Sequence, residues 1–158
     1  MAPGILELDE FSPSNFYAFV EDVDYFIAYT PSHSSYPSTR IEVQMPLTLI
    51  FEGDDCTIDK PLATCEVDPD TNIVTVTDLF TEVYQGGQKI KFTISKATNP
   101  TGSRAAGPWS VTTFRPYEGE YFIVDAGTAD ESFFAKPGYI RCELDYSVDL
   151  TFSDDTSF

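Results

Sequence analysis

His33 is the only histidine among 158 residues, so any Ser-His-Asp or Cys-His catalysis would have to run through it. It stands in a Ser/Pro segment, PSHSSYPST (31–39), with no catalytic motif around it, and Gly-x-Ser-x-Gly is absent. A tetrahedral zinc site needs clustered His and Cys, and one histidine with three scattered cysteines does not supply it. No phosphate loop or dinucleotide fingerprint occurs. Glycoside hydrolysis needs only two carboxyl groups, but with 26 Asp and Glu residues some pair always looks suitable, so the signal is unspecific. The expectation is a protein that is not an enzyme.

The acids make a better case for calcium. Asp68-Pro69-Asp70-Thr71-Asn72 places oxygen ligands at alternate positions, as the start of an EF-hand loop does. Ile73 stands where that loop needs glycine, and Leu79 and Phe80 occupy the region of its bidentate glutamate, so an EF-hand is excluded. Asp68, Asp70 and Asn72 remain calcium candidates, with Asp54, Asp55 or Asp59 available to a looser site; the alternative is an ordinary Asx turn. No other cofactor is expected. Trp109 and the tyrosines could stack against a sugar, although Trp109 at the head of an alternating strand reads as core. Tyr36, Tyr84 and Tyr117 fall in loops and are the better candidates for an exposed binding face.

Cys56 and Cys65 flank a short turn-rich segment containing Pro61. A bridge there would close a hairpin-like loop and stabilise by about 2–3 kcal/mol in the chain-entropy picture; two free thiols are the alternative. Cys142 is left over. It alternates inward with Ile140 and Leu144, as a buried thiol would, and an intermolecular bridge is the sharper alternative.

The elements that must position these residues are strands. Lys89–Phe114 contains two alternating runs, Ile90/Phe92/Ile94 and Trp109/Val111/Thr113, joined by a loop with Asn99-Pro100, Gly102 and Gly107-Pro108. Aromatic residues make up 15% of the chain, enough with Val, Ile and Thr to favour pleated, half-buried surfaces. The pattern predicts strands over 5–8, 15–20, 24–29, 40–44, 47–51, 63–68, 72–77, 89–95, 109–114, 120–125 and 139–152, with little helix. Short strands with turn signals every 8–12 residues predict an all-β antiparallel Ig-like or Greek-key sandwich. The expected organisation is an N-terminal extension (1–15), itself a candidate exchanged or edge strand, one sandwich domain (16–152) and a tail (153–158).

The formal charge of −17 would repel nucleic acid and anionic membranes. No run of 18 apolar residues offers a membrane span. The opening MAPGILELDEF lacks the basic and apolar stretches of a secretory signal. If the protein works outside the cell, Met1 would then begin a piece of a longer precursor.

The final predicted strand is unusually long. Ile140, Cys142, Leu144, Tyr146, Val148, Leu150 and Phe152 alternate without a break against Arg141, Glu143, Asp145, Ser147, Asp149 and Thr151. It reads either as one strand crossing a whole sheet or as a segment that pairs with a neighbouring molecule. Ile5, Leu6 and Leu8 could do the same from the other terminus.

The block from Tyr25 to Phe114 resembles a β-sandwich module of large cysteine-containing surface proteins of ciliates and related protists. The resemblance is carried, in order, by YFIAY (25–29), RIEVQMP (40–46), the pair Cys56 and Cys65, NIVTV (72–76) with Leu79-Phe80, KIKFTIS (89–95), Asn99-Pro100 and WSVTTF (109–114). It implies a structural or adhesive role outside the cell, a Cys56–Cys65 bridge and no catalytic centre. The chain is short and lacks the cysteine-rich repeats such proteins often carry. The expectation is a structural subunit of an extracellular or cell-surface assembly or filament, a homo-oligomer or polymer whose copies associate through edge or terminal strands. The alternatives are an adhesin domain binding a glycan or surface protein through its loops, and a viral capsid or fibre sandwich.

Overall fold

The computed structural model describes residues 3–52, 56–102, 105–130, 133 and 135–137. The expected strand 139–152, with Ile140, Cys142, Leu144, Tyr146, Val148, Leu150 and Phe152, lies outside the described residues, as do the tail, Asp54 and Asp55.

The fold is all-β. Its strands are β1 (Gly4–Pro13), β2 (Val23–Pro31), β3 (Arg40–Gln44), β4 (Ile50–Phe51), β5 (Thr57–Ile58), β6 (Thr64–Asp68), β7 (Ile73–Thr77), β8 (Ile90–Thr98), β9 (Trp109–Tyr117) and β10 (Glu120–Ala129). One sheet runs β10-β9-β3-β7-β6, and the other runs β1-β2-β8 with β4 and β5 on the outer edge of β8. This is an Ig-like sandwich in which β1 serves both sheets. Its first residues pair parallel with β10 (Gly4↔Asp125, Ile5↔Ala126). Past Ile5 it pairs antiparallel with β2, from Leu6↔Pro31 to Pro13↔Tyr25.

Alternation decides what is buried. Tyr25, Ile27, Tyr29, Phe92 and Ile94 from one sheet meet Ile41, Val43, Val74, Val76 and Val111 from the other. Trp109 joins this core, its ring 4.8 Å from that of Phe11. A Trp109 buried to 3% exposure cannot stack against a sugar. β1 changes phase at a bulge between Leu8 and Glu10, so Leu6 and then Phe11 and Pro13 turn inward. Gly4 and Ile5 thus pair with β10 and Leu6–Pro13 with β2 of the same chain, so β1 is a strand of the sandwich rather than an extension outside it, with Leu6 buried and Ile5 exposed.

The expected strand over 15–20 is a loop. Phe19 has φ 63°, and the segment is held by Ala18 N–H donating to the Lys136 carbonyl at 2.9 Å. The strand expected over 47–51 is reduced to Ile50–Phe51. Cys56 and Cys65 are joined by a disulfide, with their Cα atoms 5.9 Å apart.

Candidate functional site

The calcium candidates sit in the β6–β7 hairpin. The Asp68 carboxylate accepts from the Asp70 N–H at 3.0 Å. Hydrogen bonds from the Thr71 side chain and the Asp70 backbone hold its pKa below the ordinary carboxylate value. Asn72 is buried in the left-handed conformation (φ 55°) and donates to the carbonyls of Pro46 (3.1 Å) and Leu49 (2.9 Å). Its amide therefore ties down the 46–49 loop, while Asp70 stays on the surface. Asp59 has another task. Its Oδ1 accepts from the Thr93 N–H at 2.8 Å, capping the edge of β8. Among the described residues no group of three or more His, Cys, Asp or Glu side chains could hold a metal ion.

His33 has a partner that sequence reasoning missed. The Asp125 side chain is 1% exposed, and its Oδ1 lies 2.8 Å from His33 Nδ1. Its Oδ2 accepts from the His33 backbone N–H at 3.0 Å. Gly4 makes room for the pair, since a Cβ there would lie 2.0 Å from Asp125 Oδ1. The neighbouring hydroxyls are engaged elsewhere: Ser32 Oγ donates to the Ile5 carbonyl and Ser34 Oγ to Gln85 Oε1. Among the described residues, no hydroxyl or thiol hydrogen bond to the His33 ring supplies the nucleophile–base contact that hydrolytic catalysis requires. What it does is pin the β2–β3 loop onto the β1–β10 junction. Burial and the nearby Asp125 charge push the Tyr29 hydroxyl far above its ordinary pKa. The only sequence signal for this pair was an acidic residue at an inward position of a predicted strand, and its counter-group lies far away in the chain.

The β9–β10 hairpin exposes a run of large apolar side chains. The strands are joined at Glu118 (φ 52°) and Gly119 (φ 88°), the left-handed pair that a tight two-residue hairpin demands. Tyr117, Tyr121, Phe122 and Ile123 are 65%, 46%, 50% and 50% exposed. On its free side β10 pairs with β1 only at Asp125 and Ala126, so Glu120–Val124 has no partner strand there among the described residues. Two arginines stiffen the surroundings by cation–π contact. Arg40 lies 4.6 Å from the Phe114 ring centroid and 4.2 Å from that of Tyr121. Arg115 lies 4.2 Å from the Tyr36 ring and donates to the Ser34 carbonyl at 3.0 Å. The Tyr117 ring packs against that of Phe122 at 6.2 Å. Tyr84 pairs through its backbone with Ser35, beside Tyr36.

A second opening lies on the far side of the sandwich. β1 joins both sheets on one side; among the described residues the opposite side is bordered by the short β4 and β5 on β8 and by β6 on β7. There a cavity of about 600 Å³ is lined by Leu62, Leu79, Phe80, Tyr84 and Ile90, with Lys60, Lys89 and Lys91 around it.

No family model and no curated protein matches the chain. Among solved structures it is similar to an uncharacterised protein of Nocardia farcinica with an immunoglobulin-like fold, at 16% identity over 80% of this chain and 99% of that one, TM-score 0.45. A cohesin module from a Clostridium perfringens family 33 glycoside hydrolase matches at 11% identity over 84% and 96%, TM-score 0.44. The bacterial hydrophobin BslA matches at 12% identity over 88% and 99%, TM-score 0.42.

Proposed function

We propose that this chain is a non-enzymatic structural module of an extracellular surface assembly or filament, and that its copies associate through exposed strand edges. One observation carries the reading: a chain of charge −17 nevertheless presents four large, half-exposed apolar side chains along the β9–β10 hairpin and its unpaired edge. Such an edge offers backbone hydrogen bonds and side-chain burial together, the two components of β-augmentation. The Cys56–Cys65 disulfide suits an oxidising compartment. Sedimentation of the full chain across concentration tests the proposal. Self-association that weakens in Tyr121→Lys and Ile123→Lys supports it, whereas a chain that stays monomeric at millimolar concentration overturns it.

The second reading is ligand binding through exposed aromatics, favoured by the cation–π contact that holds Tyr36 against Arg115, two residues before Tyr117 in β9. It calls for a monomer whose Tyr36 and Tyr117 resonances shift on adding a glycan panel.

A further inference from the structure

We propose that the outer edge of β8 at Ile90–Phe92, with the lysine-rimmed cavity beside it, is the acceptor for residues 139–152 of a second copy of the chain. This rests on the assembly reading and adds to it a contact distinct from the β9–β10 edge, with its own donor and acceptor.

The acceptor is defined by backbone geometry. Thr93 turns both its polar groups outward: its N–H donates to Asp59 Oδ1 and its carbonyl accepts from the Asp59 N–H at 3.4 Å. Backbone direction alternates along a strand, so the Lys91 N–H and carbonyl face the same way. β4 and β5 cover β8 only from Ile94 to Thr98. Among the described residues, no strand pairs with this edge at Lys91. Beneath it the sheets part at the cavity, whose Leu62, Leu79 and Ile90 would receive inward-pointing apolar side chains.

Charge selects the donor. Of the lysines at the cavity, Lys89 is paired with Asp9 at 2.8 Å and Lys60 lies 3.5 Å from Asp59, and Asp78 also lines the wall, so Lys91 on the outer face carries the charge argument. Residues 139–152 alternate apolar positions with Glu143, Asp145 and Asp149 against a single Arg141. Paired at β8, their carboxylates would stand beside Lys91 on the outer face. The other sheet ends at β6, where the exposed Glu66 and Asp68 would repel the same segment. Opposite charges across a strand pair contribute about 0.2–1 kcal/mol each and like charges oppose by similar amounts, so the preference for β8 accumulates over several pairs. Length also suits: fourteen residues of strand reach about 46 Å. The described chain ends beside Tyr17, at the Asn99 end of the sandwich. In a head-to-tail arrangement each copy would give one segment and receive another, the contact that builds open filaments.

The test uses the full chain. Equal parts of ¹⁴N- and ¹⁵N-labelled protein are mixed and treated with a carbodiimide, which joins amines to carboxylates in contact, and the linked peptides are read by mass spectrometry. Exchange of the Lys91 amide is followed in parallel. The expected result is Lys60 or Lys91 linked to Glu143, Asp145 or Asp149 in mixed-isotope pairs. Lys91 amide exchange should slow by about tenfold or more with rising concentration. Both signals should vanish in Lys60→Glu/Lys91→Glu and return when Glu143→Lys/Asp145→Lys is added. Links confined to one isotope overturn the exchange between copies and, if the chain is also monomeric, the assembly reading with it. Self-association with an unprotected Lys91 and no such links overturns this acceptor and leaves the assembly reading standing.

Discussion

Asn99 is fully buried, and its amide group holds three parts of the molecule together. Its Oδ1 accepts from the Tyr25 hydroxyl, and its Nδ2 donates to the carbonyls of Asn15 (2.6 Å) and Tyr17 (2.7 Å). Asn99→Ala strands a buried hydroxyl and two partly buried carbonyls, since alanine offers neither donor nor acceptor. An orphaned buried hydroxyl costs about 1–3 kcal/mol and each lost carbonyl bond about 1 kcal/mol, so the variant should lose about 3–5 kcal/mol. With a urea slope of about 2 kcal/mol/M, the midpoint should fall by about 2 M. Trp109, the only tryptophan and 3% exposed, reports unfolding by fluorescence. Tyr25→Phe removes only the hydroxyl and should cost about 1–2 kcal/mol, while the ring keeps its contact with Phe11 at 5.3 Å. The double variant should lose less than the two single losses added, with a coupling of about 1–2 kcal/mol. Strictly additive losses, or an Asn99→Ala loss below about 1 kcal/mol, would refute the assignment of Asn99 as the tie between β2, β8 and the 15–17 loop.

Two other predictions concern the β1 region. Gly4→Ala drives a Cβ to within 2.0 Å of Asp125 Oδ1 and 2.6 Å of His33 Nδ1. It should destabilise by about 1–3 kcal/mol, whereas Gly107→Ala, with nothing within 4 Å of the added carbon, should be close to neutral in the same urea titration. The hydrogen bond from Lys89 Nζ, together with that from Thr30, holds the Asp9 carboxyl below its ordinary value of 3.8 and raises the Lys89 pKa above 10.5. The Asp9 contribution to stability is therefore present above pH 3.8 and lost as pH falls through the lowered value. The Lys89 contribution is present below pH 10.5 and lost as pH rises through the raised value. Carboxylate resonances followed by NMR should show Asp9 moving up toward 3.8 in Lys89→Ala; an unchanged Asp9 titration would show that the pair does not persist in solution.

The strands legible in the sequence are those where alternation runs unbroken and turn residues bound it. β3, β6 and β7 follow that pattern almost to the residue, and β2, β8 and β9 run two to three residues past the predicted end. Where the phase slips, the reading stops early: β1 continues past Leu8 only because a bulge shifts the inward positions. β10 has a similar irregularity between Ile123 and Asp125. The 15–20 segment shows the opposite error. Its aromatic residues satisfy a strand pattern, but Phe16 packs edge-on against Phe133 at 5.9 Å and the backbone follows that tertiary contact instead of a ladder. Tyr117 was visible as a candidate exposed aromatic, whereas the neighbouring Tyr121, Phe122 and Ile123 fell within the predicted strand 120–125 with no signal of a binding face. Their exposure belongs to the tertiary arrangement, in which Glu120–Val124 lies at a sheet edge with no partner strand on its free side among the described residues. The His33–Asp125 pair was hidden for a related reason: it depends on register across β1 and β10, which no local pattern encodes.

The junction of β1 with β10 also sets an order of events. Gly4 and Ile5 are made well before their strand partners Asp125 and Ala126, which lie near the other end of the described chain. During synthesis, β1 can zip to β2 early through a short connection, but the other half of its pairing must wait. Until the second hairpin emerges, the face around Leu6 is open and Asp125 is not yet there to receive His33. Closing so long a loop is entropically slow, and chains dominated by such distant pairings fold late and remain exposed to wrong partners meanwhile. The same contact that completes the sandwich therefore acts as its timer, and a nascent chain passes through a stage in which a neighbour's strand can compete for the place reserved for its own.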